Sequence, residues 1–566
     1  MSVTDAPPAR PELDRMLREL RTGADHWAAL PVPDRARVFR EVSGAVAGVA
    51  REWAETAARA KNIPDGSPLA GEEWMSGPYA ALESSAAYAR AYEAITRGRS
   101  PADGLPTRTV PGGRTAVRVL PLGLQQRVLF HGFSAEVWMP PGVSPERLRR
   151  EAGLDAGTVG RSGGVGLVLG AGNISSIAPL DAFYELVAAG RTSLVKLNPT
   201  FADLLDIYER ALAPLIHIGA VRVVNGDGAV GSYLATHDGV DKVHITGSQA
   251  THDTIVWGRG EEAERRRAER DPRLAVPITS ELGGVSPIIV VPGTWSDADL
   301  RFQAEHVATM RLHNAGHNCI AGQMVVLGAD WPQRDAFLAE LRGAFARLPA
   351  REPWYPGSAD RLREAVAAHA GAETINGRVL LESTGDDPAC DTEYFAPVLA
   401  WKQVAGTGSE FLRAAVVFAN DRLAGTLGAN VVVDPAARRS MGAAFEEALA
   451  DLRYGTIAVN AWTAVGFQLA GATWGAFPGN TIEDVGSGID VVHNGHLLAG
   501  PERTVVTGPF REFPRSVPGG EFSLFPKPPW FAGARTAAIT GERLTGYAAA
   551  PSWARLLGVL VPAFRA

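Results

Sequence analysis

The chain has 566 residues, 46% hydrophobic and 21% charged, with a formal net charge of -7 and a pI near 6.0. Its length is roughly two to three times that of an ordinary domain, and its balanced hydropathy excludes a disordered or membrane-embedded chain. With 55 basic against 62 acidic residues there is no basic field to attract nucleic acid. The two cysteines, Cys319 and Cys390, cannot build a disulfide framework. The opening MSVTDAPPARPELDR lacks the apolar core of a signal peptide, so a reducing cytoplasm is the expected compartment. The longest apolar runs, such as Leu556 to Phe564, fall far short of the roughly 20 residues needed to cross a bilayer. Neither a nucleic acid nor a membrane is expected as a partner.

Along the chain, apolar residues at helical spacing predict helices up to about Thr96, notably from Arg35 to Ala60. Between Ala116 and Met139 the segments TAVRVLPLG and QRVLF alternate and predict strands, closed by the turn MPPGVSP. From Gly164 a regular alternation begins. Strands VGLVLG, TSLVKL, VRVV and KVHIT are interleaved with helices, among them LDAFYELVAA and one long helix FADLLDIYERALAPLI. Nearly continuous apolar strands between helices predict a parallel sheet covered on both faces. The charged stretch GEEAERRRAERDP, Gly260 to Pro272, reads as a solvated helix or loop. A second α/β unit then begins near Glu281 with strand PIIVV, a long helix from Asp297, strand MVVLG and another helix. From about Pro514 the chain is Pro-rich, then apolar, and is expected to pack on the body as a tail.

Several residues at predicted strand ends could carry chemistry. Asn173 in GAGNISS follows a buried strand, where open α/β sheets place ligands, although Asn also suits such turns for backbone reasons. Lys196 ends the next strand and could meet a ribose or phosphate, or simply snorkel. The stretch NGDGAVG from Asn225 is a literal but weak GxGxxG. In ITGSQAT, Ser248 is a natural N-cap at a helix start that also suits an anion. Glu281 heads ELGGVSP and could serve as a general base if burial raised its pKa; a surface glutamate beside a turn is the alternative. Cys319 lies in HNAGHNCIAGQ with His313 and His317 close by. Zinc needs three or four ligands, and no CxxC, HExxH or second cluster exists, so no metal is expected. Nucleophile and buried inert thiol both remain open for Cys319, the former requiring a lowered pKa in a partly open site.

Taken in order, these segments resemble the aldehyde dehydrogenase superfamily. Asn173, Lys196, Gly247 with Ser248, Glu281, Cys319 in AGHNCIAG, and Glu393 with Phe395 and Pro397 in EYFAPV match the family's motifs in their usual sequence. The resemblance runs from about Gly164 to about Asn460. It implies an α/β fold with two parallel-sheet domains and a small β extension for oligomerisation. The implied layout is N-terminal helices and a cofactor-binding domain over 1–280 with a strand extension near 115–140, a catalytic domain over 281–480, a return and oligomerisation region over 481–513, and a tail over 514–566. It also implies oxidation of an aldehyde with NAD or NADP. Cys319 is then the nucleophile, Asn173 the oxyanion donor and Glu281 the base that activates water. Lys196, Gly247, Ser248, Glu393 and Phe395 hold the cofactor, and the chain forms a homodimer or homotetramer. In the family the phosphates meet the helix after TGS, which demotes NGDGAVG to a strand-helix turn.

There are departures from the pattern. NAD-preferring members often carry a glutamate shortly after the lysine, whereas this chain has KLNPT, so NADP should also be tolerated. His317 replaces the usual glutamine, and filling space is favoured over tuning the thiol. Trp462, Phe467, Trp474 and Phe477 fall where the family often lines its substrate entrance, hinting at an apolar aldehyde, although core positions are equally expected. The competing functions are a CoA-acylating dehydrogenase or acyl-thioester reductase, which Glu281 argues against, and a non-catalytic protein on the same fold.

Overall fold

The computed structural model describes residues 9–154 and 160–566; residues 1–8, part of the stretch read for a signal core, lie outside it. One sheet has six strands in the order Gly488–Ile489, Ile278–Leu282, Lys242–Gly247, Val165–Leu169, Thr192–Lys196 and Val221–Val224. All run parallel except Gly488–Ile489, which pairs antiparallel with Gly488 opposite Glu281. Val165–Leu169 is buried along its whole length, as its unbroken apolar run requires of a strand covered on both faces. The following helix, Ile177–Ala189, stops at Gly190, which takes the left-handed conformation.

Long N-terminal helices cover one face of this sheet. In Val32–Ala60 the buried residues Val38, Val42, Val46, Val49, Trp53 and Ala57 recur at spacings of three and four, forming one apolar stripe. That stripe shares a core with Trp27, Tyr88 and Tyr92 from the neighbouring helices, with Phe183 from helix Ile177–Ala189 and with Val195 from the sheet. The C-terminal helices Ala537–Ala549 and Trp553–Ala563 close on the same core through Leu544, Tyr547, Leu556 and Val559.

The second sheet has eleven strands. Its buried centre is Gly428–Val432, Ser286–Val290, Gly322–Gly328 and Val398–Val404, all parallel. Thr456–Val459 and Arg503–Thr507 extend it on one side, followed by the antiparallel Ser134–Trp138, Arg114–Leu120 and Thr107–Val110. The extension near 115–140 is therefore an edge of this sheet. The division at 280/281 falls inside Ile278–Leu282, so Glu281 sits on the last parallel strand of the first sheet while Gly283 and Gly284 lead into the second.

Two predicted elements differ from the structure. QRVLF is not a strand: Leu124–Leu129 is a short helix with only Leu129 buried, and the strand position beside Arg114–Leu120 is taken by Ser134–Trp138. FADLLDIYERALAPLI is not one helix. It divides into a 3-10 segment and the helices Leu205–Ala211 and Ala213–His217, because Pro214 has no N–H to bond back to Arg210 and its ring crowds that turn. The charged stretch forms the exposed helix Gly260–Glu269, braced by Arg265–Glu269 and Arg266–Glu262 pairs one turn apart.

Candidate active site

The carboxyl ends of the first sheet's strands open onto a cavity of about 900 Å³. Asn173, Lys196, Gly247, Ser248, Glu281, Cys319, Glu393 and Phe395, separated by up to 222 residues, all line it. None of Trp462, Phe467, Trp474 and Phe477 does. Trp462 and Trp474 are wholly buried, Trp462 against the His313 ring at 4.7 Å.

The loop bearing Cys319 is held in an unusual conformation. Helix Asp297–Leu312, opened by a Ser296/Asp299 capping box, ends in a turn where Asn314, Ala315 and Gly316 all take positive φ. For Ala315 this costs on the order of 1 kcal/mol, so surrounding contacts must enforce it. Asn314 supplies most of them. Its side-chain amide donates to the carbonyls of Asn173 at 3.1 Å and His317 at 3.0 Å, while its backbone N–H donates to Glu72 at 3.2 Å. Gly316 is needed for a second reason: a Cβ there would lie 2.7 Å from the Ala396 carbonyl, in the segment carrying Glu393 and Phe395. The loop then passes Cys319, half-buried at the cavity, into the buried strand Gly322–Gly328.

Two carboxylates face the thiol. Burial pushes Glu281 up to about 7; the nearby Cys319 thiol offsets only part of that. Glu281 Oε1 has no hydrogen-bond partner. Burial also raises Glu393, to about 8, against the opposing pull of the buried Arg311 guanidinium. Gly283 makes room for Glu393, since a Cβ on that glycine would lie 2.0 Å from its Oε1. Cys319 itself is pushed well above the ordinary thiol range, first by burial and then by Glu281 and Glu393. The depressed thiol pKa required of a self-activated nucleophile is absent, so the proton on sulfur must leave to a base. Glu281 and Glu393 are the carboxylates that face that sulfur.

Asn173 donates from Nδ2 to the His317 carbonyl at 3.0 Å, which fixes the amide and leaves its second N–H available. The two histidines do not converge on a metal. His313 faces Glu72 and Trp462, whereas the His317 ring packs against Trp354, Tyr355 and Phe395, with Nε2 3.0 Å from Ser358 Oγ. Burial drives His317 down to about 2, so it stays neutral and offers no positive charge to the thiol. Among the described residues no group of three or more His, Cys, Asp or Glu is arranged to hold a metal.

The rest of the cavity fits a dinucleotide. Ser248 caps helix Gln249–Trp257, its Oγ accepting from the Thr251 N–H at 3.2 Å, so the helix presents its positive end to the cavity. Lys196 lies at the end of the neighbouring strand. Glu393 Oε1, buried and without a partner, suits a sugar hydroxyl. One residue was missed in the sequence: Asp227, in the demoted NGDGAVG stretch. It caps the next helix, accepting from the N–H groups of Ala229 and Val230, and these bonds, with Lys196 opposite, hold its carboxyl below the usual range. The pairing of Lys196 with Val224 brings the two side chains to the same end of the cavity. Only the order of strands in the sheet reveals this.

Residues 146–359 match the model of the aldehyde dehydrogenase family. A Staphylococcus aureus (strain MSSA476) protein described as a "Putative aldehyde dehydrogenase" is 32% identical over 158 residues, 27% of this chain and 28% of the relative. The chain thus spans little more than a quarter of that relative's length. Among solved structures, an NAD-dependent aldehyde dehydrogenase from Sinorhizobium meliloti superposes with a TM-score of 0.58 at 18% identity, covering 88% of this chain and 87% of the other. Aldehyde dehydrogenase C from Pseudomonas syringae, solved with NAD+ and octanal, gives 0.58 at 18% identity over 88% and 89%. An NADP-dependent glyceraldehyde-3-phosphate dehydrogenase from Bacillus halodurans gives 0.57 at 18% identity over 88% and 92%. At these identities the likeness is one of fold.

Proposed function

We propose that the chain is a member of the aldehyde dehydrogenase superfamily and oxidises an aldehyde to a carboxylic acid with NAD or NADP as acceptor. The observation that carries the reading is Glu281, buried and pushed up to about 7, on the wall of the same cavity as Cys319.

Glu281 takes the proton from Cys319, and the sulfur adds to the aldehyde carbon to give a thiohemiacetal. The oxyanion that forms is held by the free N–H of the Asn173 amide and by the Cys319 backbone N–H. When bound, a nicotinamide supplies the two-electron acceptor for the hydride that leaves this carbon, and a thioester on Cys319 remains. Glu281, once it has lost its proton to solvent, removes one from a water molecule. The hydroxide adds to the thioester, and the acid leaves as sulfur recovers a proton. Lys196, Ser248 and the helix start behind it, Glu393 and Phe395 are the cofactor's holders.

Asp227 narrows the choice of cofactor. A carboxylate facing Lys196 suits free ribose hydroxyls and repels a 2′-phosphate, a role that the KLNPT segment cannot fill. The reading is therefore NAD in preference to NADP. Assembly as a homodimer or homotetramer belongs to the same proposal, with the edge strand Thr107–Val110 as its contact, and light scattering tests it. A panel of aldehydes followed by NADH and NADPH absorbance, with and without CoA, tests the activity. Oxidation without CoA is expected, and strict dependence on CoA would overturn hydrolysis. An iodoacetamide-inert Cys319 with no turnover would favour a non-catalytic protein.

A further inference from the structure

The exposed large apolar residues are concentrated in one region. Leu122 and Leu124, then Phe513, Val517, Phe522, Leu524, Ile539, Trp553, Leu557, Val561 and Phe564 are exposed, and only Val366 and Val417 fall elsewhere among the described residues. Several are largely uncovered: Phe522 is 68% exposed, Leu124 66% and Leu557 59%.

The C-terminal helix Trp553–Ala563 explains the pattern. Arg555 is its only charged residue. Leu556, Val559, Leu560 and Ala563 pack on the body, while Trp553, Leu557, Val561 and Phe564, spaced by four, four and three, form a second apolar stripe that faces solvent. A helix with apolar stripes on two sides hides its hydrocarbon from water only when both are covered. The stripe continues onto its neighbours. Phe564 meets the Phe525 ring at 5.7 Å, Phe525 meets His131 at 4.3 Å, and the Leu524 N–H donates to His131 Nε2 at 3.0 Å. Helix Ala537–Ala549 reaches the Leu122–Leu129 segment through Tyr547, which donates to Gln125 at 3.0 Å. Such a contiguous patch marks an interaction surface.

Its charge identifies what covers it. The segments Leu122 to His131 and Arg543 to Ala566 contain Arg127, Arg543, Arg555 and Arg565 and not one Asp or Glu. All four arginines are exposed, and none pairs with a carboxylate among the described residues; Arg543 and Arg555 donate only to backbone carbonyls. The nearby carboxylates Glu512, Glu521 and Glu542 are already engaged by Arg515, Arg511 and Arg51. This basic, acid-free rim stands on a chain whose formal net charge is -7. A second copy meeting the face symmetrically would set arginine against arginine with no carboxylate to receive either. An anionic lipid surface satisfies both features at once: acyl chains take the apolar stripe, phosphates take the arginines, and Trp553 lies at the boundary.

We propose that the Trp553–Phe564 stripe, with Leu122, Leu124, Phe522 and Leu524, is a docking surface that lies in the interface of an anionic bilayer without crossing it. Vesicle flotation of the full chain tests this, using phosphatidylcholine alone and phosphatidylcholine mixed with phosphatidylglycerol. Flotation is expected with the mixed vesicles only. It should be lost in Leu557→Asp/Val561→Asp and weakened in Arg555→Glu/Arg565→Glu, where added salt, which weakens wild-type flotation, should lower it no further, with both variants keeping the wild-type Tm and turnover of a soluble aldehyde. Absence of wild-type flotation overturns the proposal, as does flotation indifferent to both pairs of substitutions. If the wild type fails to float and Leu557→Asp/Val561→Asp lowers the mass measured by light scattering, the face belongs to a second copy instead.

Discussion

Around Cys319 the molecule buries what water would hold, and along its last fifty residues it exposes what water would expel. Glu281, Asn173, His317 and Arg311 are enclosed, and Glu281 and Glu393 are both displaced upward by burial. Trp553, Leu557, Val561 and Phe564 stand in solvent on a helix that could have carried polar residues there. Both arrangements cost free energy, by desolvating charge in one case and hydrating hydrocarbon in the other. The difference lies in rigidity. The buried site is fixed by hydrogen bonds through Asn314, whereas the tail presents a stripe set only by helix periodicity.

Substitutions should separate the two regions. The largest effect is expected for Cys319→Ala, which removes the nucleophile and should lower turnover by roughly 10⁴-fold or more while leaving the circular dichroism spectrum unchanged. Glu281→Gln should lower turnover by about 10² to 10⁴-fold. It should also reveal the cost of the site. Glu281 is raised from an ordinary 4.5 to about 7, so the folded protein holds the proton more tightly than the unfolded chain. Stability is full below about 4.5 and falls as pH rises through 7, by on the order of 3 kcal/mol. Thermal unfolding should show the glutamine variant more stable than wild type at about pH 8, with the gap closing toward about pH 5. Equal Tm values across that range would mean that Glu281 is not desolvated. Wild-type turnover should fall as pH drops below 7, where Glu281 carries its proton.

Smaller effects probe the cofactor end. Gly283→Ala places a Cβ 2.0 Å from Glu393 and should weaken cofactor binding about tenfold by calorimetry, with less effect on Cys319 alkylation. Asp227→Asn should raise affinity for NADP relative to NAD, also by about tenfold. An unchanged ratio would remove Asp227 from that role.

The difference between the regions also marks what was legible in the sequence. The buried strands announced themselves as unbroken apolar runs, and eight residues of the cavity were identifiable because their motifs follow one another in a recognisable order. The left-handed turn at Asn314 and Ala315 was not legible, since its cause is a set of hydrogen bonds to residues far away in the chain. Asp227 was passed over because a strand-helix turn carries no sign of which strand lies beside it. QRVLF shows the limit of short alternation, which a single turn of helix satisfies equally. In the tail, apolar composition was readable as packing, but which stripe faces the body depends on where the N-terminal helices lie.

The most direct test is intact-mass analysis of wild type and Glu281→Gln incubated with NAD and the aldehyde that wild type turns over fastest. Removing the base should leave the Cys319 thiol protonated and slow acylation itself, so NADH appears without a burst and little acyl group accumulates, whereas wild type quenched during turnover carries one acyl group that maps to Cys319 on peptide digestion. Steady NADH production by wild type with no acyl group on Cys319 would contradict the account.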